Sequence, residues 1–311
     1  MAIYLVTGGA GFIGSNIVEH LIAQGAKVRV VDNFSTGKRE NLEHFKKQID
    51  IREVDICDLP ELRKAVQGCD YIFHQAAIPS VPKSVIDPIS SHNADVTGTL
   101  HVLWAAKAAS VKRVIYAASS SAYGESEELP KRENMPPQPI SPYGLMKYVG
   151  EEYCRIFTLL YGLETVSLRY FNVFGPRQDP TSQYSGVLSR FITVMLRGES
   201  PVIFGDGEQS RDFTYVSNVV KANMLACQST RAVGKVYNVA CGTRFNLKEV
   251  VKILNRILGT TLQPVHNSPR PGDIRHSQAD IRRAASDLGY SPQTGFEEGL
   301  TKTVEWYRKN V

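Results

Sequence analysis

Residues 6–21 read VTGGAGFIGSNIVEHL. Gly8, Gly11 and Gly14 follow a short apolar run and open a segment with helical spacing of apolar residues. Glycine at a strand-to-helix junction permits a tight turn and lets backbone N–H groups approach a pyrophosphate. The helix N-terminus adds partial positive charge there. The triplet is spaced GxxGxxG, and taken alone it also fits an ordinary turn. Its surroundings narrow the reading. VRVVDN at 28–33 ends a second apolar run in Asp32, 18 residues past Gly14. A carboxylate there can accept hydrogen bonds from an adenosine ribose diol and repels a 2′-phosphate, which favours NAD over NADP. The alternative for Asp32 is a strand-end cap. Asp55-Ile56 ends a third run, where an acid and an apolar residue can flank an adenine.

From that turn the chain alternates strand and helix. Strands are expected at Ala2–Thr7, Lys27–Asp32, Ile49–Val54, Tyr71–Phe73, Val114–Ala118 and Thr165–Arg169. Helices are expected at about Gly11–Ala23, Pro60–Val66, Pro88–Ala109 and Tyr143–Tyr161. Strands separated by helices imply an α/β fold with a Rossmann-type, doubly wound parallel sheet. Beyond residue 172, loops rich in Gly, Pro, Asp and Ser separate shorter elements. The expected organisation is a cofactor domain over 1–171, with later pieces at about 211–240, and a smaller mixed α/β lobe over 172–311.

The bulk properties agree with this. Of the 311 residues, 42% are hydrophobic and 22% charged, which suits a packed core and excludes a disordered chain. No apolar run reaches membrane length. The opening MAIYLVTGGAG has no basic flank and reads as a buried strand rather than a signal peptide. Five cysteines, with no CxxC pair, read as reduced cytoplasmic thiols without a structural metal. A net charge of +5, spread along the chain, fits an anionic small-molecule substrate and lacks the dense stripe of a nucleic-acid surface.

SPYGLMK at 141–147 carries the candidate chemistry. Tyr143 and Lys147, four residues apart, share one helix face. A phenol titrates near ~10, and a nearby cation favours its phenolate, so Lys147 is expected to lower the pKa of Tyr143 toward that of a working base. AASSSAYGE at 117–125 places serine hydroxyls at the carboxyl end of the fifth strand, where ligands of such sheets bind.

TGGAGFIG, SSSAYG, SPYGLMK and RYFNVFGPRQ (169–178) together resemble an extended short-chain dehydrogenase/reductase. Within that superfamily the chain is similar, nearly end to end, to the NAD-dependent nucleotide-sugar 4-epimerases. The resemblance implies a catalytic triad of Ser119, Tyr143 and Lys147. It implies NAD contacts from Gly8, Gly11, Phe12, Ile13, Gly14, Asp32, Asn33, Ser35, Thr36, Gly37, Asp55 and Ile56. Further contacts are implied for Gln75, Ala76, Ala77, Tyr143, Lys147 and Tyr170. Dehydratases of the family carry an Asp-Glu pair after the active hydroxyl, and uronate decarboxylases carry a Glu there. Here Ser120-Ser121 occupy those places. Epimerisation needs no such acid. Hydride leaves sugar C4 for NAD, the 4-keto sugar turns over, and hydride returns to the other face. The alternatives are a uronate 4-epimerase or another NAD-dependent nucleotide-sugar dehydratase or decarboxylase on the same fold, and a non-catalytic NAD-sensing or RNA-associated protein.

The resemblance also implies a UDP-sugar site. Ser80, Val81 and Ser84 would border the sugar or the nicotinamide, and Ser119, Ser120 and Tyr143 the sugar. Asn172, Arg211 and Arg270 would hold the diphosphate, with Val187 and Leu188 at a helix start. Asp273 would bond the uridine ribose. Arg211 beside Asp212 is alternatively a local ion pair, and Arg270 a solvated loop cation. His276 reads as structural. Ser277 matches the position bordering the hexose 2-substituent, and its small volume leaves space for an acetamido group. Activity on the UDP-N-acetylglucosamine/UDP-N-acetylgalactosamine pair is therefore expected, together with some on UDP-glucose and UDP-galactose. The family also implies a homodimer through a four-helix bundle built from the helices at 88–109 and 143–161. Asp95 (in NADVTG), Gln75 and Pro79 depart from common residues near the nicotinamide.

Overall fold

The computed structural model describes residues 2–180, 186–269 and 274–310. In chain order the first half holds β1 (Ile3–Thr7), α1 (Phe12–Ala23), β2 (Lys27–Asp32), β3 (Ile49–Glu53), α2 (Leu59–Val66) and β4 (Tyr71–His74). It continues with α3 (Val81–Ile86), α4 (Pro88–His92), α5 (Gly98–Ala108), β5 (Arg113–Ser119), α6 (Pro142–Tyr161) and β6 (Glu164–Tyr170). The second half holds β7 (Val173–Phe174), α7 (Val187–Leu196), β8 (Val202–Phe204), β9 (Ser210–Arg211), β10 (Thr214–Tyr215) and α8 (Val216–Gln228). The chain closes with β11 (Lys235–Val239), β12 (Phe245–Asn246), α9 (Leu247–Leu258), β13 (Val265–Asn267), α10 (Arg282–Leu288) and α11 (Phe296–Asn310).

Seven strands form one sheet in the order β11-β6-β5-β4-β1-β2-β3. Every pairing in it is parallel. This is the doubly wound Rossmann-type architecture. Neighbouring residues on a strand point to opposite faces, and both faces here are apolar. Val6, Val30, Phe73 and Ile115 pack into one core with α1 and α8. Leu5, Val31, Ile72 and Val114 pack into another with α2, α5 and α6. Strand order reverses between β1 and β4, and crevices beyond the carboxyl ends of strands at such a switch point are where ligands bind. A third core joins α7, α9 and α11 through Phe191, Leu254, Phe296 and Val304.

Local signals place the helix that carries Tyr143. The Ser141 hydroxyl accepts from the N–H of Gly144 at 3.1 Å, and Pro142 occupies the first helical position. Gly162 ends the helix in the left-handed region at φ 68°. The helix expected over 88–109 is divided: a π turn at Asn93–Thr97 separates α4 from α5. No helix of the described residues is long and apolar enough to cross a membrane.

Candidate active site

The glycine turn is built by close approach. Gly8 has φ +65°, and its N–H donates to Val31 O at 2.8 Å. A Cβ at Gly8 would lie 2.7 Å from the Ala76 backbone, and one at Gly14 would lie 2.1 Å from Gly8 O. Side chains at either position are excluded, so the helix N-terminus stays against the strand end. Gly11 caps α1 without a side-chain bond, and Phe12 and Ile13 open the helix.

Asp32 is buried at the end of β2. Its Oδ2 accepts from Ala10 N–H and its Oδ1 from Phe34 N–H, both at 2.8 Å. Burial raises its pKa and the two N–H groups oppose that. The cap read as an alternative is thus present. A carboxylate has about four acceptor sites, so two remain for a ligand. A Cβ on Gly37 would approach Asp32 Oδ2 to 2.9 Å, which puts the 35–37 loop beside the carboxylate. Asn33 donates to Asp55 Oδ2 at 2.9 Å and accepts from Ser35 N–H and Oγ at 3.0 and 2.7 Å. Ile56 is buried next to Gly98. The ends of β2 and β3 therefore bring Asp32, Asn33, Ser35, Asp55 and Ile56 together. Thr36 lies on the same loop.

Beyond β4, Ala76 N–H donates to Thr7 Oγ1 at 3.3 Å, and Ala77 follows, half-buried. Gln75 Nε2 reaches Tyr170 Oη at 3.1 Å, and Asn223 Nδ2 donates to the same oxygen at 2.8 Å. Burial pushes the Tyr170 phenol up to about 12, so it stays protonated. Asn223, on α8, is absent from the sequence reading because no local motif marks it.

Tyr143 lies in the first turn of α6, and Ser119 ends β5. The Ser119 hydroxyl accepts from Ser121 N–H at 3.2 Å and from Ser121 Oγ at 2.8 Å. Ser120 follows in a 3₁₀ turn. Lys147 is buried, donates to Ala117 O at 3.0 Å, and has its Nζ 5.9 Å from the Tyr143 ring centroid. The three expected side chains do converge. The expected lowering of the phenol pKa does not occur: burial raises it well above its usual value, and the Asp95 carboxylate adds to the rise. A hydrogen bond from Ser119 opposes both.

Two expected sugar contacts take structural roles here. Ser84 is fully buried; its hydroxyl donates to Val81 O at 2.7 Å and accepts from Tyr143 N–H at 3.0 Å. Ser80 caps α3 by accepting from Lys83 N–H at 3.2 Å. Val81 is exposed.

A cavity of about 320 Å³ unites Asn172, Val187, Leu188 and Arg211, and Arg190 and Phe204 also line it. Asn172 holds φ +34° and donates to Asp212 O at 3.1 Å. The Arg211 Nη1 donates to Ser210 O and Arg275 O at 3.0 and 3.1 Å. Asp212 is fully buried and accepts from Cys241, Gly242 and Ala279 N–H groups at 3.0–3.1 Å, a junction that the ion-pair alternative misses. Burial pushes its carboxyl up to about 6. His276 Nδ1 lies 2.9 Å from Ser210 Oγ, and Ser277 N–H donates to Ser210 O at 3.0 Å. Arg270 and Asp273 lie outside the described residues. Among the described residues no group of three or more His, Cys, Asp or Glu side chains could hold a metal ion.

The model of a family described as "NAD dependent epimerase/dehydratase family" matches residues 4–240. A putative UDP-glucose 4-epimerase of Methanocaldococcus jannaschii is 39% identical over 309 residues, spanning 98% of each chain. The solved structure of a UDP-N-acetylglucosamine 4-epimerase from Methanobrevibacter ruminantium, in complex with UDP-N-acetylmuramic acid, is 42% identical. It superposes with a TM-score of 0.95 over 100% of this chain and 99% of that one. The structure of a Thermotoga maritima UDP-glucose 4-epimerase with UDP-glucose is 41% identical, with a TM-score of 0.94 over 99% of each chain.

Proposed function

The chain belongs to the NAD dependent epimerase/dehydratase family, and within it we propose that the protein is a UDP-sugar 4-epimerase acting on UDP-N-acetylglucosamine and UDP-N-acetylgalactosamine, and on UDP-glucose and UDP-galactose. One observation carries this reading. Ser119, Tyr143 and Lys147 meet at the carboxyl end of β5, while serines at 120 and 121 stand where elimination or decarboxylation would need a carboxyl group.

The residues present fit NAD. Gly8 and Gly14 leave a cradle that a Cβ would fill, Asp32 keeps acceptor sites beside it, and the cofactor domain is assigned to 1–171 with 211–240. NAD, when bound, supplies the redox chemistry by accepting and returning the C4 hydrogen. Burial holds Tyr143 protonated in the ligand-free site, and the positive charge of an oxidised nicotinamide would favour its phenolate, which then takes the proton of the sugar 4-hydroxyl and gives it back to the epimer. Ser119 hydrogen-bonds that hydroxyl, and Lys147 keeps the proton exchange electrically balanced. The cavity lined by Asn172, Leu188 and Arg211 receives the uridine diphosphate, with the planar Arg211 fork on phosphate oxygens. The lobe over 172–311 is thus the substrate side. Ser277 leaves space at the sugar 2-position, and the similar chains cover both N-acetyl and plain sugars in their names.

Ile89 on α4 and Leu145, Leu159 and Leu160 on α6 are exposed. We assign this face to a homodimer through paired helices. The five cysteines are free thiols, which supports a reducing, cytoplasmic setting. Incubating the enzyme separately with each of the four UDP-hexoses and identifying the products tests the reading. Formation of the C4 epimer supports it; a dehydrated or decarboxylated product overturns it.

A further inference from the structure

Gln209 ends the loop between β8 and β9 and lines the cavity that also holds Asn172, Leu188 and Arg211. Its Nε2 donates to Phe204 O at 2.6 Å. Its Oε1 is buried and has no hydrogen-bond partner. The Phe204 carbonyl fixes which way the amide faces, because turning it over would set two acceptors against each other. An amide oxygen shut from water costs free energy unless some donor reaches it, and in a binding cavity a ligand can be that donor. The loop that presents Gln209 is tied down on several sides. Gly205 N–H donates to Asn267 O at 2.8 Å, Glu208 N–H to Asp206 Oδ1 at 3.0 Å, and Leu247 N–H to Gly207 O at 3.0 Å. The acceptor is therefore placed before a ligand arrives.

Its position identifies the part of the ligand that meets it. Gln209 leads directly into β9, so Gln209 and Arg211 are alternate residues of an extended segment and share a face, about 7 Å apart. Ser119, Tyr143 and Lys147 are not among the described residues that line this cavity. The hexose must reach those three, so the cavity holds the remainder of the substrate, with the diphosphate on Arg211 and the nucleoside beside it. Phe204, Phe213 and Leu247 add the apolar wall that suits a planar base. Ionised phosphates offer acceptors alone. The donors of the nucleoside are the uracil N3–H and the ribose hydroxyls.

We infer that Gln209 is a specificity-determining residue, its Oε1 accepting a hydrogen bond from the nucleoside of the bound nucleotide. The inference rests on the reading of this cavity as the uridine diphosphate site. Cytosine carries a lone pair on N3 where uracil carries a proton, and a deoxyribose lacks one of the hydroxyls. A buried acceptor therefore discriminates against whichever nucleotide leaves it unpaired.

Titration calorimetry of the full chain with UDP, CDP, 2′-deoxy-UDP and 3′-deoxy-UDP tests this without sugar or turnover. Wild type is compared with Gln209→Met and Gln209→Glu. Both variants lose the Nε2 bond to Phe204, but only Q209E keeps a strong oxygen acceptor, which separates recognition from anchoring of the loop. Wild type is expected to bind UDP about ten-fold tighter than at least one analogue. Q209M is expected to bring that ratio close to one, and Q209E to retain it. Collapse of the ratio against CDP assigns the bond to the uracil N3–H, and collapse against a deoxy form assigns it to that hydroxyl. Ratios in Q209M equal to those of wild type, or lost equally in both variants, overturn the inference. A wild-type chain that does not bind UDP, or binds it equally well after Arg211→Ala, overturns the reading of the cavity itself.

Discussion

The backbone N–H of Tyr143 donates to the hydroxyl of Ser84 across 3.0 Å. The first N–H groups of a helix have no intrahelical acceptor. Ser141 satisfies that of Gly144, and Ser84 satisfies that of Tyr143. The bond ties the helix start to α3, so the phenol's position depends on a serine 59 residues away. Replacing Ser84 by Ala leaves a buried donor unpaired, at a cost of about 1–3 kcal/mol. The expected outcome is a lower melting temperature together with a several-fold fall in kcat, read from thermal unfolding and steady-state assays.

Glu151 and Arg169 form a two-pronged ion pair at 2.9 and 2.7 Å, with side chains 2% and 3% exposed. The pair clamps α6, which carries Tyr143 and Lys147, onto β6. The guanidinium also lies 4.5 Å over the Tyr123 ring. Glu151→Leu leaves a buried cation uncompensated, and breaking such a pair costs about 3–5 kcal/mol. Chemical denaturation should show that loss. A change within about 0.5 kcal/mol would mean that the pair does not secure the helix.

Asp212 binds three backbone N–H groups from two separate segments. In Asp212→Asn, either amide orientation points its NH₂ at a donor, so destabilisation of about 1–3 kcal/mol is expected. The pH dependence has a definite sign. Burial pushes the folded carboxyl up to about 6, against 3.8 for a free aspartate. Its contribution is therefore greatest below the unfolded value and is lost as pH rises through the folded one. The stability gap between wild type and D212N should narrow between those two pH values. Melting temperatures measured across that window check this.

Ser277 is half-buried and held through its N–H to Ser210. A tyrosine there would overfill space assigned to the acetamido group, and overpacking costs about 1–3 kcal/mol. Ser277→Tyr should lower kcat/KM for the N-acetyl pair by roughly ten- to a hundred-fold while largely sparing the plain pair. Parallel assays on both pairs decide it, and equal losses would refute the steric account.

Local chemistry made much of this architecture readable. Gly14 is required by a contact within the turn, with Gly8 O, and Gly8 by its left-handed φ of +65°, whereas the approach of Gly8 to Ala76 is long-range; alternating strands and helices follow from short-range apolar spacing. The pairing of Tyr143 with Lys147 is a helix-face relation and needs no tertiary knowledge. Other features depend on distant contacts. The helical pattern over 88–109 runs straight through Asp95, because a π turn changes only local hydrogen bonding. Asn223 meets Tyr170 across 53 residues and Gln75 across 148, and no spacing rule joins them. Arg211-Asp212 fits an ion pair by adjacency, yet the Asp212 carboxylate faces inward to distant N–H groups. The Tyr143 pKa is set by burial, which a motif cannot report.

The central claim is that the hydrogen removed from sugar C4 is the one restored to it. UDP-N-acetylglucosamine labelled with deuterium at C4, incubated with the enzyme in ordinary water, tests this most directly. The account predicts a UDP-N-acetylgalactosamine product that keeps deuterium at C4, with no net accumulation of NADH. Loss of the label to solvent, or NADH formed in step with substrate consumed, would contradict it.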